Sequence, residues 1–236
     1  KKSKLKIRKN ISLLVSTSGS TGSPKFIKQT FKNISENTKS ILKYLPIKKQ
    51  DVTITNLPLH YTYGISIINT HLKVGSSIVL TKYSILQKQF WRLFDFYKVT
   101  VINGVPYTYE ILNKLKFFQK KNKSLKIITQ AGGKLSNKLQ IVINKYCSKF
   151  KTKFFIMYGQ AEATTRISYL EYKKDDIKLG SVGKSIEKGK ILNYGVSVFT
   201  LREAFEVIKF PNVKSIQLVF NIFRQKPSEK FFQEAK

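Results

Sequence analysis

Short apolar segments alternate with longer amphipathic segments along most of this chain, and this alternation constrains the fold more than any other feature. Segments 11–15 (ISLLV), 99–106 (VTVINGVP) and 125–133 (LKIITQAGG) are short, rich in Val, Ile and Leu and bounded by turn residues, which predicts buried strands. Segments 86–98 and 136–150 repeat apolar residues at helical spacing. Strands separated by helices pair in parallel, so we expect an α/β fold with a largely parallel sheet and flanking helices.

The composition is that of a folded chain with an unusual charge. The 236 residues are 42% hydrophobic, which is enough for a core, and 44 Lys+Arg against 13 Asp+Glu give a net charge of +31. Such a charge often indicates a nucleic-acid or membrane-surface partner. Here the excess is mostly lysine and is spread over every segment, whereas nucleic-acid readers cluster arginine. We therefore expect no specific nucleic-acid partner, and a lysine-rich nucleic-acid binder stays as the less favoured alternative.

Cysteine usage and hydropathy bear on the compartment. Cys147 is the only cysteine and cannot form an internal disulfide, which favours a reducing compartment. No stretch reaches the roughly 18–20 apolar residues of a membrane span. We therefore expect a soluble, cytoplasmic protein. Because the chain begins at Lys1 and its one methionine is Met157, we also expect it to be a piece of something longer.

Three polar, glycine-bearing stretches lie at predicted carboxyl ends of strands. They are STSGSTGSPK (16–25), QAGGKLS (130–136) and YGQAEATTR (158–166). In an open α/β sheet, ligands bind beyond the carboxyl ends of the strands. The coincidence of the three stretches predicts one common ligand site.

The first stretch has the chemistry of a phosphate cradle. Gly19 and Gly22 allow consecutive backbone N–H groups to point inward, and Lys25 brings a mobile positive charge. Hydroxyl donors come from Ser16, Thr17, Ser18, Ser20 and Thr21. The stretch is not a Walker motif, because Pro24 precedes the lysine. The alternative interpretation is a flexible Ser/Gly linker that ends in lysine.

The stretches together resemble the AMP-forming adenylating superfamily of acyl-CoA synthetases, luciferase-like enzymes and adenylation domains. STSGSTGSPK resembles its phosphate loop, LPLHYTYG (57–64) its substrate-side turn and TQAGGKLS (129–136) its adenine-bordering strand end. MYGQAEAT (157–164) resembles its Tyr-Gly-x-Thr-Glu motif, and LGSVGK (179–184) the glycine-rich segment that follows. The resemblance covers roughly residues 10–191 in the family's order.

The resemblance implies ATP and Mg²⁺ as cofactors, with a carboxylic acid as the substrate and CoA or a carrier-protein thiol as the acceptor. Lys25 and Glu162 would be the catalytic residues, with Glu162 holding the metal, although Glu162 could also be a solvated surface acid. Tyr158 would pack on the adenine. The remaining cofactor-binding residues implied are Thr17, Ser18, Gly19, Ser20, Thr21, Gly22, Gly132, Gly133, Gly159, Gln160 and Ala161.

The sequence also departs from the family pattern. Ala161 stands where the motif has Thr, so a hydroxyl expected near the α-phosphate is missing, and no match exists to the small C-terminal domain with its catalytic lysine. Loss of one hydrogen bond to a charged group costs about 1.5–3 kcal/mol. Whether the chain is an enzyme is therefore left open, and a catalytically silent nucleotide-binding remnant is the alternative.

The last part of the chain has a different character. We expect an incomplete adenylate-forming domain over residues 1–191 and a joined fragment over 192–236 that resembles two βα units of an aldo/keto reductase barrel. In that family a Ser and a Gln at such strand ends approach the nicotinamide, which implies Ser197 and Gln217. A barrel needs eight such units, so we expect no reductase activity from this fragment.

Histidines and aromatic residues suggest little further chemistry. His60 and His71 lack the spacing of a metal site; His60 faces either the acyl substrate or a structural partner. We expect Trp91, Phe94 and Phe96, on one amphipathic segment, to belong to the core.

Overall fold

The structure is a computed structural model that describes residues 9–17, 25–173, 178–187, 194–198, 205, 209 and 213–218. The chain divides into two compact units, residues 1–189 and 190–236. The first unit contains a hairpin, a seven-stranded sheet and five helices within its described part.

The strands of the first unit are β1 (Ile11–Thr17), β2 (Lys25–Thr30), β3 (Val52–Ile54), β4 (Ser77–Val79), β5 (Val101–Gly104), β6 (Ile127–Gln130), β7 (Lys153–Tyr158), β8 (Ser168–Tyr172) and β9 (Lys184–Ser185). The helices are α1 (Phe31–Leu42), α2 (Thr62–Val74), α3 (Lys88–Phe96), α4 (Pro106–Lys114) and α5 (Asn137–Phe150). Short 3-10 turns cover Phe117–Gln119 and Ala161–Ala163.

From α1 to β7 strands and helices alternate as the sequence predicts, whereas β1–β2 and β7–β9 are consecutive strands. The prediction of a buried strand over 11–15 in the parallel sheet was wrong, because this strand belongs to a separate hairpin and Leu14 is 43% exposed.

The main sheet has the order β4-β3-β5-β6-β7-β8-β9. The first five strands in this order, from β4 through β3, β5 and β6 to β7, pair in parallel. The last two pairs, β7 with β8 and β8 with β9, are antiparallel. Strands β1 and β2 form a separate antiparallel hairpin in which Thr17 pairs with Lys25. The mixed, mostly parallel α/β fold confirms the predicted fold class.

Helices cover both faces of the sheet, and alternate residues of each central strand pack against opposite helical layers. Ile102, Ile128 and Phe154 belong to a core cluster with side chains of α3, α4 and α5. Their sequence neighbours Val101, Ile127 and Phe155 belong to a second cluster with side chains of α1 and α2. Parallel strands that are buried on both faces consist of consecutive apolar residues, which is why these strands were recognisable in the sequence.

Local signals fix the helix ends. Thr30 caps α1 through a reciprocal capping box with Asn33, and Ser136 accepts a hydrogen bond from the Leu139 N–H at the start of α5. Pro106 occupies the first turn of α4. Gly75 ends α2 at φ +70°, a left-handed conformation that glycine adopts without a side-chain clash.

Two strands and one side chain differ from expectation. The sequence predicts no strand over Lys25–Thr30 or Ser168–Tyr172, yet both pair with a preceding strand, and such long-range pairing outweighs their weak local signal. Phe94 is fully buried as predicted and Trp91 packs against the core. The prediction for Phe96 was wrong, because this residue, at the end of α3, is 77% exposed.

The described part of the second unit is one pair of strands, β10 (Tyr194–Val198) and β11 (Val213–Leu218), with Phe205 helical between them. The strands pair in parallel, with Ser197 opposite Gln217. The resemblance to two βα units also predicts helices after each strand, over 201–208 and 228–236, and these otherwise lie outside the described residues. Across the described segments of the whole chain, no helix is both long and apolar enough to cross a bilayer.

Candidate functional site

The carboxyl ends of β3, β5, β6 and β7 meet at one edge of the sheet, because these strands are parallel. Residues 131–136 follow β6, and residues 159–167 follow β7. Since β6 and β7 are direct neighbours, about 4.8 Å apart as in any sheet, the loops that follow them start side by side. The structure therefore brings Gly132 and Gly133 to the edge that carries Tyr158 to Glu162.

The loop after β7 folds tightly back on itself at Gly159. A Cβ atom at this position would lie 1.5 Å from the carbonyl oxygen of Thr165, so only glycine fits. Tyr158, the last residue of β7, has a side chain that is 45% exposed at the start of the loop. An aromatic ring that projects from the ligand edge of the sheet is available to stack on a flat ligand.

Glu162 lies on the 3-10 turn at the tip of this loop, and its carboxylate is exposed to solvent. The turn is closed by the carbonyl of Gln160, which accepts hydrogen bonds from the N–H groups of Ala163 and Thr165. Thr164 and Thr165 follow at φ +57° and +99°. β-Branched residues rarely adopt positive φ, and such strain concentrates at functional sites.

The β1–β2 hairpin reaches the same loop. Gln29, only 3% exposed on β2, donates a hydrogen bond of 2.8 Å from its Nε2 to the carbonyl oxygen of Ala161. The predicted phosphate loop joins the two strands of this hairpin. Lys25 precedes Gln29 by four residues, about 13 Å along an extended strand. Residues 18–22 and the side chains of Thr17 and Lys25 lie outside the described part of the chain.

The loop after β6 uses glycine for a different reason. Gly132 has φ +80°, and a Cβ there would lie 3.1 Å from Cγ1 of Val105. The side-chain amide of Gln130 donates to the carbonyl of Gly133 at 2.8 Å and so closes the loop. Gly132 and Gly133 are both exposed, so their backbone is open to a ligand at this edge.

A buried polar network fixes α2, which carries the predicted substrate-side turn, to the centre of the sheet. The hydroxyl of Tyr63 lies 2.7 Å from Thr129 Oγ1, which donates to Asn103 Oδ1 at 2.6 Å. The Asn103 amide in turn donates to Thr53 Oγ1 at 2.9 Å. Gly64 packs against the turn itself, since a Cβ there would lie 2.4 Å from the Pro58 carbonyl oxygen.

The remaining reactive side chains are placed as follows. His60 is exposed, whereas His71 is buried in α2 with its Nδ1 2.8 Å from the Ile67 carbonyl oxygen; burial lowers the pKa of His71. Burial also raises the pKa of the Cys147 thiol to about 12, so this thiol is not a nucleophile near neutral pH. Within the described ranges, no three His, Cys, Asp or Glu side chains form a cluster that could hold a metal ion.

Gln29 is a site residue that the sequence did not indicate. The segment KFIKQT has no glycine or motif character, and the contact with Ala161 joins residues 132 positions apart. A predicted strand over residues 25–30 would have been the one sequence signal for the position of Gln29. The structure shows that this strand positions the hairpin against the loop of Glu162.

Comparison with known proteins shows the family of this chain. The sequence model of the AMP-binding enzyme family matches residues 4–193. The chain belongs to the AMP-binding enzyme family. Among its relatives are the marinolic acid-CoA ligase of Pseudoalteromonas sp. (strain SANK 73390) and the 2-succinylbenzoate-CoA ligase of Bacillus subtilis (strain 168). The former is 28% identical over 181 residues, 72% of this chain and 27% of the relative. The latter is 28% identical over 223 residues, 93% of this chain and 43% of the relative.

Solved structures of this AMP-binding family are similar in fold. The o-succinylbenzoate CoA synthetase of Bacillus subtilis in complex with its acyl-adenylate intermediate is 29% identical, with a TM-score of 0.63 over 73% of this chain and 34% of that one. The same synthetase with ATP and magnesium ion is 26% identical, with a TM-score of 0.61 over 75% of this chain and 38% of that one. The chain therefore spans less than half the length of the relatives it matches.

Proposed function

We propose that this chain binds ATP with Mg²⁺ at the carboxyl edge of its sheet, as the nucleotide-binding part of a ligase that adenylates a carboxylic acid. One observation carries the proposal for this site. The hydrogen bond from Gln29 to Ala161 brings the hairpin of the Ser/Gly turn against the loop that bears Glu162. A triphosphate with its metal needs both a cradle of donors and a carboxylate nearby.

Each part of the edge has a task in this proposal. Tyr158 stacks on the adenine, and the open backbone at Gly132 and Gly133 borders it. Gly159, Gln160 and Ala161 shape the loop beside the α-phosphate. The Ser/Gly turn, residues 17–22, and Lys25 hold the β- and γ-phosphates. When a carboxylate attacks the α-phosphorus and pyrophosphate leaves, negative charge grows on phosphate oxygens, which these donors stabilise.

Mg²⁺ fits the donor set at Glu162. Mg²⁺ in nucleotide sites is usually held by one or two carboxylates together with substrate phosphates and water, and Glu162 offers one exposed carboxylate on the loop. The ion, when bound, would neutralise charge on the phosphates. The chain's own contribution is to hold the carboxylate at the tip of a strained, hydrogen-bonded turn.

The relatives support the substrate class. Two curated relatives are CoA ligases of carboxylic acids by their names, and the related synthetase structures hold an acyl-adenylate or ATP with magnesium ion. We therefore propose a carboxylic acid as the substrate and CoA as the thiol acceptor, with a carrier-protein thiol as the alternative acceptor. We also propose that the protein acts in the cytoplasm, where ATP and CoA are available.

Titration with ATP and Mg²⁺ by isothermal calorimetry tests the binding site. We expect saturable binding to the wild type and a loss of at least tenfold in affinity for Lys25→Ala and for Glu162→Gln, because each removes one charge from the phosphate and metal site. Lys145→Ala and Asp95→Asn are matched controls, since both residues are exposed on helices away from the proposed site. Equal affinities in all five proteins would refute the site.

Pyrophosphate exchange with a panel of carboxylic acids separates an enzyme from a silent nucleotide binder. Ala161 lacks the hydroxyl that the motif supplies, which favours low turnover. We expect Ala161→Thr to raise exchange about 10- to 100-fold over the wild type, as one charge-assisted hydrogen bond is worth about 1.5–3 kcal/mol. ATP binding without exchange in either protein would show a silent binder.

We propose that residues 192–236 are a joined aldo/keto-reductase-like fragment without reductase activity. The parallel pairing of β10 with β11, with Ser197 opposite Gln217, supports a βα repeat of that type. The alignment with the Bacillus subtilis ligase over 93% of the chain weighs against it, since that alignment passes residue 191. Oxidation of NADPH by the whole chain with any carbonyl substrate would contradict the proposal.

A further inference from the structure

A cleft opens at the edge of the sheet where β5 and β6 begin, opposite the edge proposed to bind ATP. Its walls are the turn at the end of α3, residues 95–98, and the loop before β6, residues 121–124. Because β5 and β6 are parallel neighbours, these two segments lie side by side at the amino ends of the strands. The cleft has a volume of about 450 Å³, within the range of sites that bind small molecules.

The turn at the end of α3 is held by its own backbone. The Lys98 N–H donates to the Asp95 carbonyl oxygen at 3.1 Å, and the Val99 N–H donates to the Phe94 carbonyl oxygen at 3.0 Å. These bonds occupy two carbonyl groups at the helix end, where partial negative charge would otherwise repel an anion. Lys98 has φ +49°, a conformation in which glycine is usual, and strained positions of this kind concentrate at functional sites. The turn thus presents a lysine where a helix end most readily carries glycine.

The opposite wall is tied to this turn. The hydroxyl of Ser124 donates to the Val99 carbonyl oxygen at 2.8 Å, which joins the two walls. The Ser124 N–H donates to Asn122 Oδ1 at 3.2 Å, and the Asn122 N–H donates to the Tyr146 hydroxyl at 3.3 Å. Because Oδ1 of Asn122 is occupied, the side-chain NH2 group of this residue is the part that can serve a ligand. The backbone of the cleft is therefore already ordered, which lowers the entropic cost of binding.

The side chains that line the cleft are mostly cationic. Lys98, Lys121 and Lys123 are exposed on its walls, and Asp95 is the only carboxylate among the described residues that line it. Lysine ammonium groups bind phosphate as point charges, and the Asn122 amide adds a neutral donor. The carboxylate of Asp95 can accept only from an O–H or N–H group. The lining therefore matches a ligand that carries a phosphate together with a hydrogen-bond donor.

We propose that this cleft binds a small phosphate ester that carries a hydroxyl group. The lysines and the Asn122 amide bind the phosphate, and Asp95 accepts a hydrogen bond from the hydroxyl. Lysines are abundant on this chain, at a net charge of +31, but these three stand on the fixed walls of a ligand-sized cleft. The cleft lies at the other end of β5 and β6 from the proposed ATP edge, so the proposal does not rest on ATP binding.

Calorimetric titration with ribose 5-phosphate, a phosphate ester with hydroxyl groups, tests the cleft. We expect saturable binding to the wild-type chain and a loss of about fivefold or more in affinity for Lys121→Ala/Lys123→Ala, which removes two of the three cations. Lys88→Ala/Lys145→Ala is the matched control, because it removes the same charge from exposed helical positions outside the cleft. No saturable binding to the wild type, or equal losses in the two double variants, would overturn the proposal.

Inorganic phosphate separates a site for an ester from a site for the free ion. Ribose 5-phosphate should bind about threefold or more tightly than inorganic phosphate, because Asp95 accepts from its hydroxyl groups. Asp95→Ala should weaken binding of the ester and strengthen binding of inorganic phosphate, since it removes both the acceptor and a like charge. Equal affinities of the wild type for the two probes, or an unchanged preference in Asp95→Ala, would contradict the assignment to an ester.

Chemical-shift mapping by NMR distinguishes this cleft from the ATP edge. On addition of ribose 5-phosphate, the amide signals of residues 95–99 and 121–124 should move most. Lys25→Ala, which alters the proposed ATP edge, should leave these shifts and the affinity unchanged, so failure of the ATP site would not resemble failure of the cleft. Shifts confined to residues 130–136 and 158–166 would show that the ester binds at the ATP edge and would overturn the proposal.

Discussion

The loops after β6 and β7 are neighbours at one edge of the sheet, yet they depend on glycine in opposite ways. Gly132 is needed mainly for its backbone conformation, at φ +80°, and its surroundings are only moderately crowded. Gly159 has no positive φ; it is needed because the chain returns within 1.5 Å of where a Cβ would lie. The β7 loop then places threonines, rather than glycines, at its positive-φ positions.

This difference shows that similar-looking motifs can be built by distinct physical means. The β6 loop is relaxed, since its left-handed positions are glycines. The β7 loop is held in a costly conformation by contacts with other parts of the chain, namely Gln29 of the hairpin and Thr62 of the substrate-side turn. The loop that bears Glu162 is therefore held by distant parts of the chain, whereas the β6 loop is held by its own Gln130 and by the end of the adjacent strand at Gly104.

Gly159→Ala should have the largest effect. Its methyl group would overlap the Thr165 carbonyl, a backbone atom that cannot rotate away, so we expect a loss of about 3 kcal/mol or more in the free energy of unfolding. Urea unfolding followed by circular dichroism measures it. Stability equal to the wild type would mean that the β7 loop has room to move, and the contrast between the loops would disappear.

Gly132→Ala should cost less, about 1–2 kcal/mol, because a non-glycine residue at positive φ is strained and the Val105 methyl group must move slightly. Gly75→Ala is the matched control. It has φ +70° but open space around the added Cβ, so it reports conformational strain alone. The same urea titration measures both variants. If Gly132→Ala were as damaging as Gly159→Ala, crowding rather than conformation would govern both loops.

Gln29→Ala should lower stability by about 1 kcal/mol, since it removes one partly buried hydrogen bond to Ala161. It should weaken ATP binding more clearly, by loosening the hairpin from the Glu162 loop. Calorimetry with ATP and Mg²⁺ measures this effect, with Lys28→Ala, an exposed neighbour on β2, as the control. Unchanged ATP affinity would show that the β7 loop does not need the hairpin.

Thr164→Gly should have the smallest effect on stability, and of the opposite sign. Relief of strain at φ +57° gains about 1–2 kcal/mol, and the added freedom of glycine in the unfolded chain costs about 0.5–1 kcal/mol, so we expect a net gain near 0.5 kcal/mol. ATP affinity should fall, because the turn around Glu162 becomes less fixed. A destabilised variant would indicate that the β7 loop is not strained.

The sequence predicted the fold well where its signals are local. The apolar strands and amphipathic helices of the sheet were recognisable because both sheet faces are buried. Gly132, Tyr158 and Glu162 were predicted to follow neighbouring strands and do so, because the ends of the parallel strands β6 and β7 coincide. Strands β2 and β8, Gln29 and the buried state of Arg166 were not predictable, since each depends on partners far away in the sequence.

The short outer strand β4 has a consequence for handling the protein. It ends the described sheet with only three residues, Ser77–Val79, followed by Leu80 with 69% of its surface exposed. An unpaired rim of this kind can recruit a strand from another molecule, but three residues offer few backbone groups for doing so. Strand pairing between two molecules through this rim would therefore be weak and reversible.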